Sequence, residues 1–264
     1  MRKYGLPEEN VYGHKKRLEF LISEIKSFSN DSKKRKLRIL DVGCGTGEMI
    51  TLPIAEEGYD VTGMDMDESS IKRAKTINRL KNVALRCETL HGLASKSRKK
   101  YDVIICSEVL EHLKNPREGL LAMKSMLKTD GLILVTIPNG YGPFEWEVFI
   151  FLKLGIWKIM KLIDHLLLSS TLAKRSSGKN PIRMTNNPDS KHIQFFSLEK
   201  FSKLLKSCEL LMDKKHKSCV FAGPVSNFIF SRSPYLIDWN VNRAVKYLPF
   251  SLCSGWYFVI KVQK

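Results

Sequence analysis

Apolar residues between Leu37 and Pro138 recur in two alternating rhythms. Short, β-branched runs ("LRILDV", "DVTGMD", "NVALRC", "YDVIIC" and "GLILVTIP") read as strands. Between them, "EMITLPIAEEG" and "DESSIKRAKTINRL" read as helices, and "NPREGLLAMKSMLKTDG" keeps a helical apolar period up to a closing Gly131. Upstream, "HKKRLEFLISEIKSF" predicts an amphipathic helix lying against this block, followed by the hydrophilic linker "SNDSKKRK". Downstream the alternation stops. "FEWEVFIFLKLGIWKIMKLIDHLLLSS" is long and apolar-rich, and "TLAKRSSGKNPIRMTNNPDSK" reads as a polar loop. A helix at "FSLEKFSKLLKSC", a sixth strand in "ELLMDKKHKSCV" and a last strand in "SGWYFVIKVQ" resume the pattern.

Strand and helix in alternation require a parallel sheet covered on both faces. The predicted architecture is therefore α/β: doubly wound, mostly parallel and seven-stranded, with a helical insertion before the last strands. Four segments follow: an N-terminal helix and linker (1–36), a core (37–140), an amphipathic helix and loop (141–191), and a C-terminal completion of the sheet (192–264). A ligand is expected at the carboxyl ends of the strands.

Charge narrows the partners. Lys and Arg outnumber Asp and Glu by 44 to 27, a formal +17, which favours an anionic partner such as nucleic acid, an acidic membrane or a phosphorylated substrate. The six cysteines stand far apart with no C-x-x-C pair, as expected of reduced thiols. "MRKYGLPEEN" carries neither a signal-peptide core nor a membrane span, so the expected location is cytoplasmic, or peripheral on the inner face of a membrane. Between Val148 and Leu168, Lys153, Lys158, Lys161 and Asp164 gather on one arc of a helical wheel opposite apolar residues. Charges recur too often there for a bilayer span. An interfacial helix on an anionic membrane, a lid and a dimer contact are all compatible with it.

The loop after the first strand narrows the chemistry. Gly43, Gly45 and Gly47 follow Asp41 at alternate positions, which lets backbone approach a ligand without intervening side chains. A dinucleotide fingerprint would require a further glycine where Glu48 stands, and a carboxylate there opposes a pyrophosphate. "DVGCGTG" instead resembles the first motif of the class I S-adenosylmethionine-dependent methyltransferases, whose fold is Rossmann-like. "HKKRLEFL", "VTGMDMDESSIKRAK" and "CSEVLEHLKNP" are similar to the group that includes the ubiquinone-biosynthesis O-methyltransferases. The likeness is specific over residues 14–138. It implies S-adenosylmethionine as cofactor, with Arg17 reaching its carboxylate, Gly43 and Asp65 holding its methionine and ribose parts, and Ser107 facing its adenosine. It further implies an adenine contact at Glu88 and a cofactor-binding set completed by Asp41, Cys44, Gly45, Gly47 and Met66.

Candidate catalytic residues lie after the fourth strand. In "SEVLEHL", Glu108, Glu111 and His112 share one face if a helix begins there, and His192 in "KHIQFF" is expected near the same rim. His112 as general base, a divalent Mg²⁺, Mn²⁺ or Zn²⁺ site made with Glu108, Glu111 and His192, and mere lining of the pocket all remain open. The metal reading resembles the ExxEH element of small-RNA 2′-O-methyltransferases. The expected function is methyl transfer to an oxygen of a lipid-like, aromatic or glycan-precursor small molecule. Its rivals are a metal-assisted RNA 2′-O-methyltransferase and a non-catalytic cofactor-binding scaffold. Nucleic acid is the less favoured partner, because the basic residues are dispersed rather than interleaved with aromatics.

Overall fold

The computed structural model describes residues 13–32, 36–96, 100–155, 192–223, 225–226, 230 and 233–263. Seven strands form one sheet: β1 (Arg38–Val42), β2 (Asp60–Asp65), β3 (Val83–Cys87), β4 (Tyr101–Ser107), β5 (Leu127–Pro138), β6 (Leu210–Lys217) and β7 (Gly255–Val262). Their order is β3-β2-β1-β4-β5-β7-β6, with β1 to β5 parallel and β7 antiparallel to both β5 and β6. Order reverses between β1 and β4, so a crevice opens beyond their carboxyl ends, where open α/β sheets bind ligands.

Consecutive side chains of the central strands enter different cores, as the two-residue period of a strand requires. Ile39, Val103 and Ile105 join Leu18, Leu21 and Ile25 of α1 (His14–Asp31) on one face. Leu40, Ile104 and Cys106 join Leu120 and Met123 of α5 (Pro116–Met126) and Phe201 of a later helix on the other. The remaining α-helices among the described residues are α2 (Thr51–Glu56), α3 (Glu68–Ile77) and α4 (Leu90–Lys96) before the insertion and α6 (Pro143–Lys153) at its start. After it come α7 (Leu198–Ser207), α8 (Pro234–Asp238) and α9 (Ala244–Tyr247). Caps written in the sequence start several of them. Asp67 accepts from the Ser69 and Ser70 amides, Asn115 from Glu118 with Pro116 following it, and Ser197 from Lys200.

Two element boundaries differ from expectation. The helix expected to close at Gly131 ends at Met126, and β5 begins at Leu127 and runs through Gly131. Leu127 is already extended and pairs with Tyr101, while a register shift between Tyr101 and Val103 absorbs the change of period. The helix after the glycine loop starts only at Thr51, and α1 continues into the expected linker as far as Asp31. Helix α4 was not foreseen. Of the amphipathic stretch 148–168, residues 148–155 are described, with α6 ending at Lys153. Lys158, Lys161 and Asp164 lie outside the described residues.

Candidate active site at the carboxyl ends of the strands

The glycine loop turns sharply off β1. The Gly43 and Cys44 amides both donate to the Met64 carbonyl, at 2.8 and 2.9 Å, which ties the loop to the end of β2. Gly43, Gly45 and Gly47 have φ of +70°, +52° and +75°, conformations that a side chain strains. Their surroundings differ. A Cβ on Gly43 would lie 2.5 Å from Val109 Cγ2, whereas one on Gly45 would meet nothing within 4 Å. Gly43 is therefore needed for packing against the segment after β4, and Gly45 leaves backbone open to a ligand.

Acidic groups surround this opening. Asp65, at the end of β2, accepts the Gly45 amide on Oδ2 at 2.8 Å and the Asp67 amide on Oδ1 at 2.9 Å. A carboxylate oxygen has more than one acceptor direction, so both remain able to take a hydroxyl hydrogen bond. Asp41 is buried and accepts the Thr51 hydroxyl at 2.6 Å. Burial, opposed by that hydrogen bond and aided by the Asp65 charge, raises its pKa to about 7. Glu88 donates its amide to the Asp65 carbonyl at 3.1 Å, and its buried Oε2 accepts no hydrogen bond. An unmatched acceptor beside the β3 end fits an exocyclic amino group such as adenine carries. Cys44 is half-buried, with burial raising its thiol pKa above the useful range, and Met66 is 71% exposed.

Arg17 closes the opposite side from α1. Its side chain is 14% exposed; Nη1 lies 3.4 Å from Glu108 Oε1 and Nη2 lies 2.5 Å from His14 Nδ1. At the β4 end, Ser107 Oγ lies 2.9 Å from Thr136 Oγ1. Thr136 also donates its hydroxyl to Glu108 Oε1 at 2.8 Å and accepts the Glu108 amide on its carbonyl at 2.9 Å.

The expected helical face of Glu108, Glu111 and His112 does not form. Glu108 is left-handed, with φ of 54°, and only a short 3₁₀ turn, Leu110–His112, follows. Glu108 therefore points to Arg17 and Thr136. Glu111, His112 and His192 do converge, with one ligand-capable atom of each within 4.8 Å of the others. The Ile193 and Gln194 amides each donate to the Glu111 carbonyl at 2.9 Å and hold the His192 segment against the turn. Glu111 is fully buried, and neither carboxylate oxygen accepts a hydrogen bond. Burial and then the Glu108 charge push its pKa well upward, which favours the protonated form. His112 Nε2 lies 3.8 Å from Glu111 Oε1, and the His112 and His192 rings are 5.2 Å apart.

Sequence reasoning missed three participants. Glu145 on α6 accepts from His192 Nδ1 at 3.0 Å, which fixes the ring's tautomer and aims Nε2 elsewhere. Thr136 bridges Ser107 and Glu108, and His14 contacts Arg17. His14 stands one helical turn before Arg17, a spacing that could have exposed it. Glu145 and Thr136 carry no comparable local signal.

The methyltransferase domain family model matches residues 12–211. The ubiquinone biosynthesis O-methyltransferase of Rickettsia canadensis (strain McKiel) is 38% identical over 125 residues, covering 47% of this chain and 51% of the relative. That of Rickettsia felis (strain ATCC VR-1525 / URRWXCal2) is 38% identical over 125 residues, 47% of this chain and 49% of the relative. The chain thus spans about half the length of the curated relatives it matches. Among solved structures, the plantazolicin methyltransferase in complex with SAH (S-adenosylhomocysteine) superposes with a TM-score of 0.57 at 18% identity, covering 97% of this chain and 86% of that one. Magnesium protoporphyrin IX methyltransferase from Synechocystis PCC 6803 with bound SAH gives 0.52 at 13% identity, covering 98% and 90%. At such identities these two likenesses concern the fold alone. Fold, glycine loop and a family match over 12–211 together have one meaning: the chain belongs to the class I S-adenosylmethionine-dependent methyltransferases.

Proposed function

We propose that the protein transfers a methyl group from S-adenosylmethionine to an oxygen of a small lipid-like, aromatic or glycan-precursor acceptor, with His112 as general base. The carrying observation is the seating of the His112 turn directly on the glycine loop through Val109 and Gly43. The curated relatives, named as O-methyltransferases, support oxygen as the acceptor atom.

The cofactor supplies an electrophilic methyl group on a sulfonium. Asp65 accepts from the ribose hydroxyls, Glu88 Oε2 from the adenine amino group, and Arg17 pairs with the amino-acid carboxylate, while Gly43, Gly45 and Gly47 keep the loop thin. His112 takes the acceptor's hydroxyl proton as the new C–O bond forms and the methyl–sulfur bond breaks, its electrons remaining on sulfur. Glu111 stands beside that imidazole, its Oε1 3.8 Å from His112 Nε2. The remaining rate enhancement comes from holding the acceptor in line with the methyl group.

A second reading is favoured by the convergence of Glu111, His112 and His192. Two imidazoles and a carboxylate lacking hydrogen-bond partners suit a divalent cation, which would restore the Glu111 charge and bind the acceptor oxygen. The two readings separate cleanly. With base catalysis, His112→Ala lowers turnover by roughly 10²- to 10⁴-fold, cofactor affinity barely changes and a chelator does nothing. With a metal, chelation abolishes turnover, added Mg²⁺ or Mn²⁺ restores it, and His192→Ala is as damaging as His112→Ala. Near-normal turnover of His112→Ala without chelator sensitivity defeats both. The acceptor class is tested by incubating protein and cofactor with cell extract and searching for molecules that gain a methyl mass; a methylated RNA product would overturn the small-molecule assignment.

Attachment to an anionic membrane through 148–168 belongs to the same proposal. It is supported by Trp146, Phe149 and Leu154, exposed by 63, 56 and 68%, and by Lys153 lying 5.3 Å over the Phe149 ring. No described helix is long and apolar enough to cross a membrane.

A further inference from the structure

Arg17 is constrained from two directions. His14 precedes it by three positions on α1, and their side chains meet at 2.5 Å, between His14 Nδ1 and Arg17 Nη2. A guanidinium has only donors, so Nδ1 must be the unprotonated nitrogen that accepts. Burial first, and the Arg17 charge second, lower the His14 pKa to about 3, so the ring stays neutral wherever the protein is folded near neutrality. On the other side, Glu108 Oε1 lies 3.4 Å from Nη1. Glu108 reaches that place with φ of 54°, a backbone conformation that glutamate adopts only where its surroundings impose it.

A neutral acceptor differs from a second carboxylate in one useful respect. It restricts the guanidinium without cancelling the positive charge. An unrestrained arginine has many rotamers, and ordering it on binding weakens the contact it makes. The Arg17 charge also acts to lower the pKa of Asp41 and of Glu111.

We propose that His14 is a positioning residue that fixes the Arg17 guanidinium toward the carboxylate of the cofactor's amino-acid end. The inference rests on Arg17 being the ligand of that carboxylate, as read above. His14 thereby contributes to discrimination between S-adenosylhomocysteine and the same molecule without its carboxylate.

The test compares the binding of S-adenosylhomocysteine and its decarboxylated counterpart by calorimetry. His14→Leu places a methyl group where Nδ1 stands, and His14→Asn places an accepting oxygen there. The affinity ratio of the two ligands should fall roughly tenfold in His14→Leu, the size of one charge-assisted contact, and return to within about twofold of wild type in His14→Asn. Arg17→Leu should remove the preference. If His14→Leu weakens both ligands equally, or leaves the ratio unchanged while Arg17→Leu lowers it, His14 does not position the clamp and the inference fails alone. If Arg17→Leu leaves the ratio unchanged, the reading of Arg17 fails first. Should His14→Leu not fold, His14→Gln, whose acceptor lies one methylene further out, replaces it and must also lower the ratio.

Discussion

At the scale of single residues, the site depends on carboxyl groups in unlike environments. Asp65 is anchored by two amides and left able to accept more. Asp65→Ala should weaken S-adenosylhomocysteine binding by about 1.5–3 kcal/mol, as loss of a charged acceptor implies, and calorimetry would show it. Undiminished affinity would remove Asp65 from the ribose site. Asp41 behaves differently, because its folded-state pKa of about 7 stands above the ordinary 3.8. Its contribution to stability is fully present below about pH 3.8 and is lost as pH rises through about 7, where a buried charge must be tolerated. Asp41→Asn keeps an oxygen for Thr51 but no charge. Its melting temperature should gain on wild type between about pH 4 and pH 7 and then run parallel; a constant difference across that window would contradict the raised pKa. The motif spacing singled out Asp41, Asp65 and the glycines in the sequence, and the fold gathers them at the ends of β1 and β2, where Asp65 accepts the Gly45 amide and Asp41 the Thr51 hydroxyl. Glu145 and Thr136 were not legible, since their partners His192 and Glu108 come from distant segments and are brought together only by tertiary packing.

Among elements, the glycine loop and the turn after β4 form one unit, and the two glycines should separate its functions. Gly43→Ala drives a methyl group into Val109 and should destabilise folding by about 1–3 kcal/mol in chemical denaturation, with Val109→Ala relieving part of the loss. Gly45→Ala meets no neighbour, so its folding loss should stay near the roughly 1 kcal/mol of left-handed strain. Its cofactor affinity should fall more steeply than its stability. Equal losses in both properties would mean that no ligand approaches Gly45. All seven strands were readable from their apolar runs, and the sheet class followed from the alternation with helices. The misplaced helix end before β5 has a specific origin. Met126 and Leu127 satisfy helical and strand periods alike, and strand pairing with Tyr101 decides between them. Similarly, "EVLEHL" has helical spacing, but the left-handed Glu108 breaks the face that spacing implies.

Considered whole, the molecule carries a formal charge of +17 and an aromatic-rich exposed stretch on α6. The protein should co-sediment with vesicles of anionic lipid, less so as salt rises. Replacing Lys153, Lys158 and Lys161 with Glu should lower the bound fraction, because surface attraction contributes about 1 kcal/mol per basic residue. Binding that ignores both salt and these substitutions would assign the exposed aromatics to another role. The sheet has its own consequence for how the protein is made. Strand β7 lies between β5 and β6, although it follows both in the chain. A ribosome therefore releases β1 to β5, with the glycine loop among them, while the hydrogen-bonding edge of the apolar β5 still has no neighbour. Until residues 255–262 emerge, that edge is a site for chaperone capture or for pairing between nascent chains. Assembly of the catalytic half thus becomes secure only when the antiparallel strand slides between two strands already synthesised.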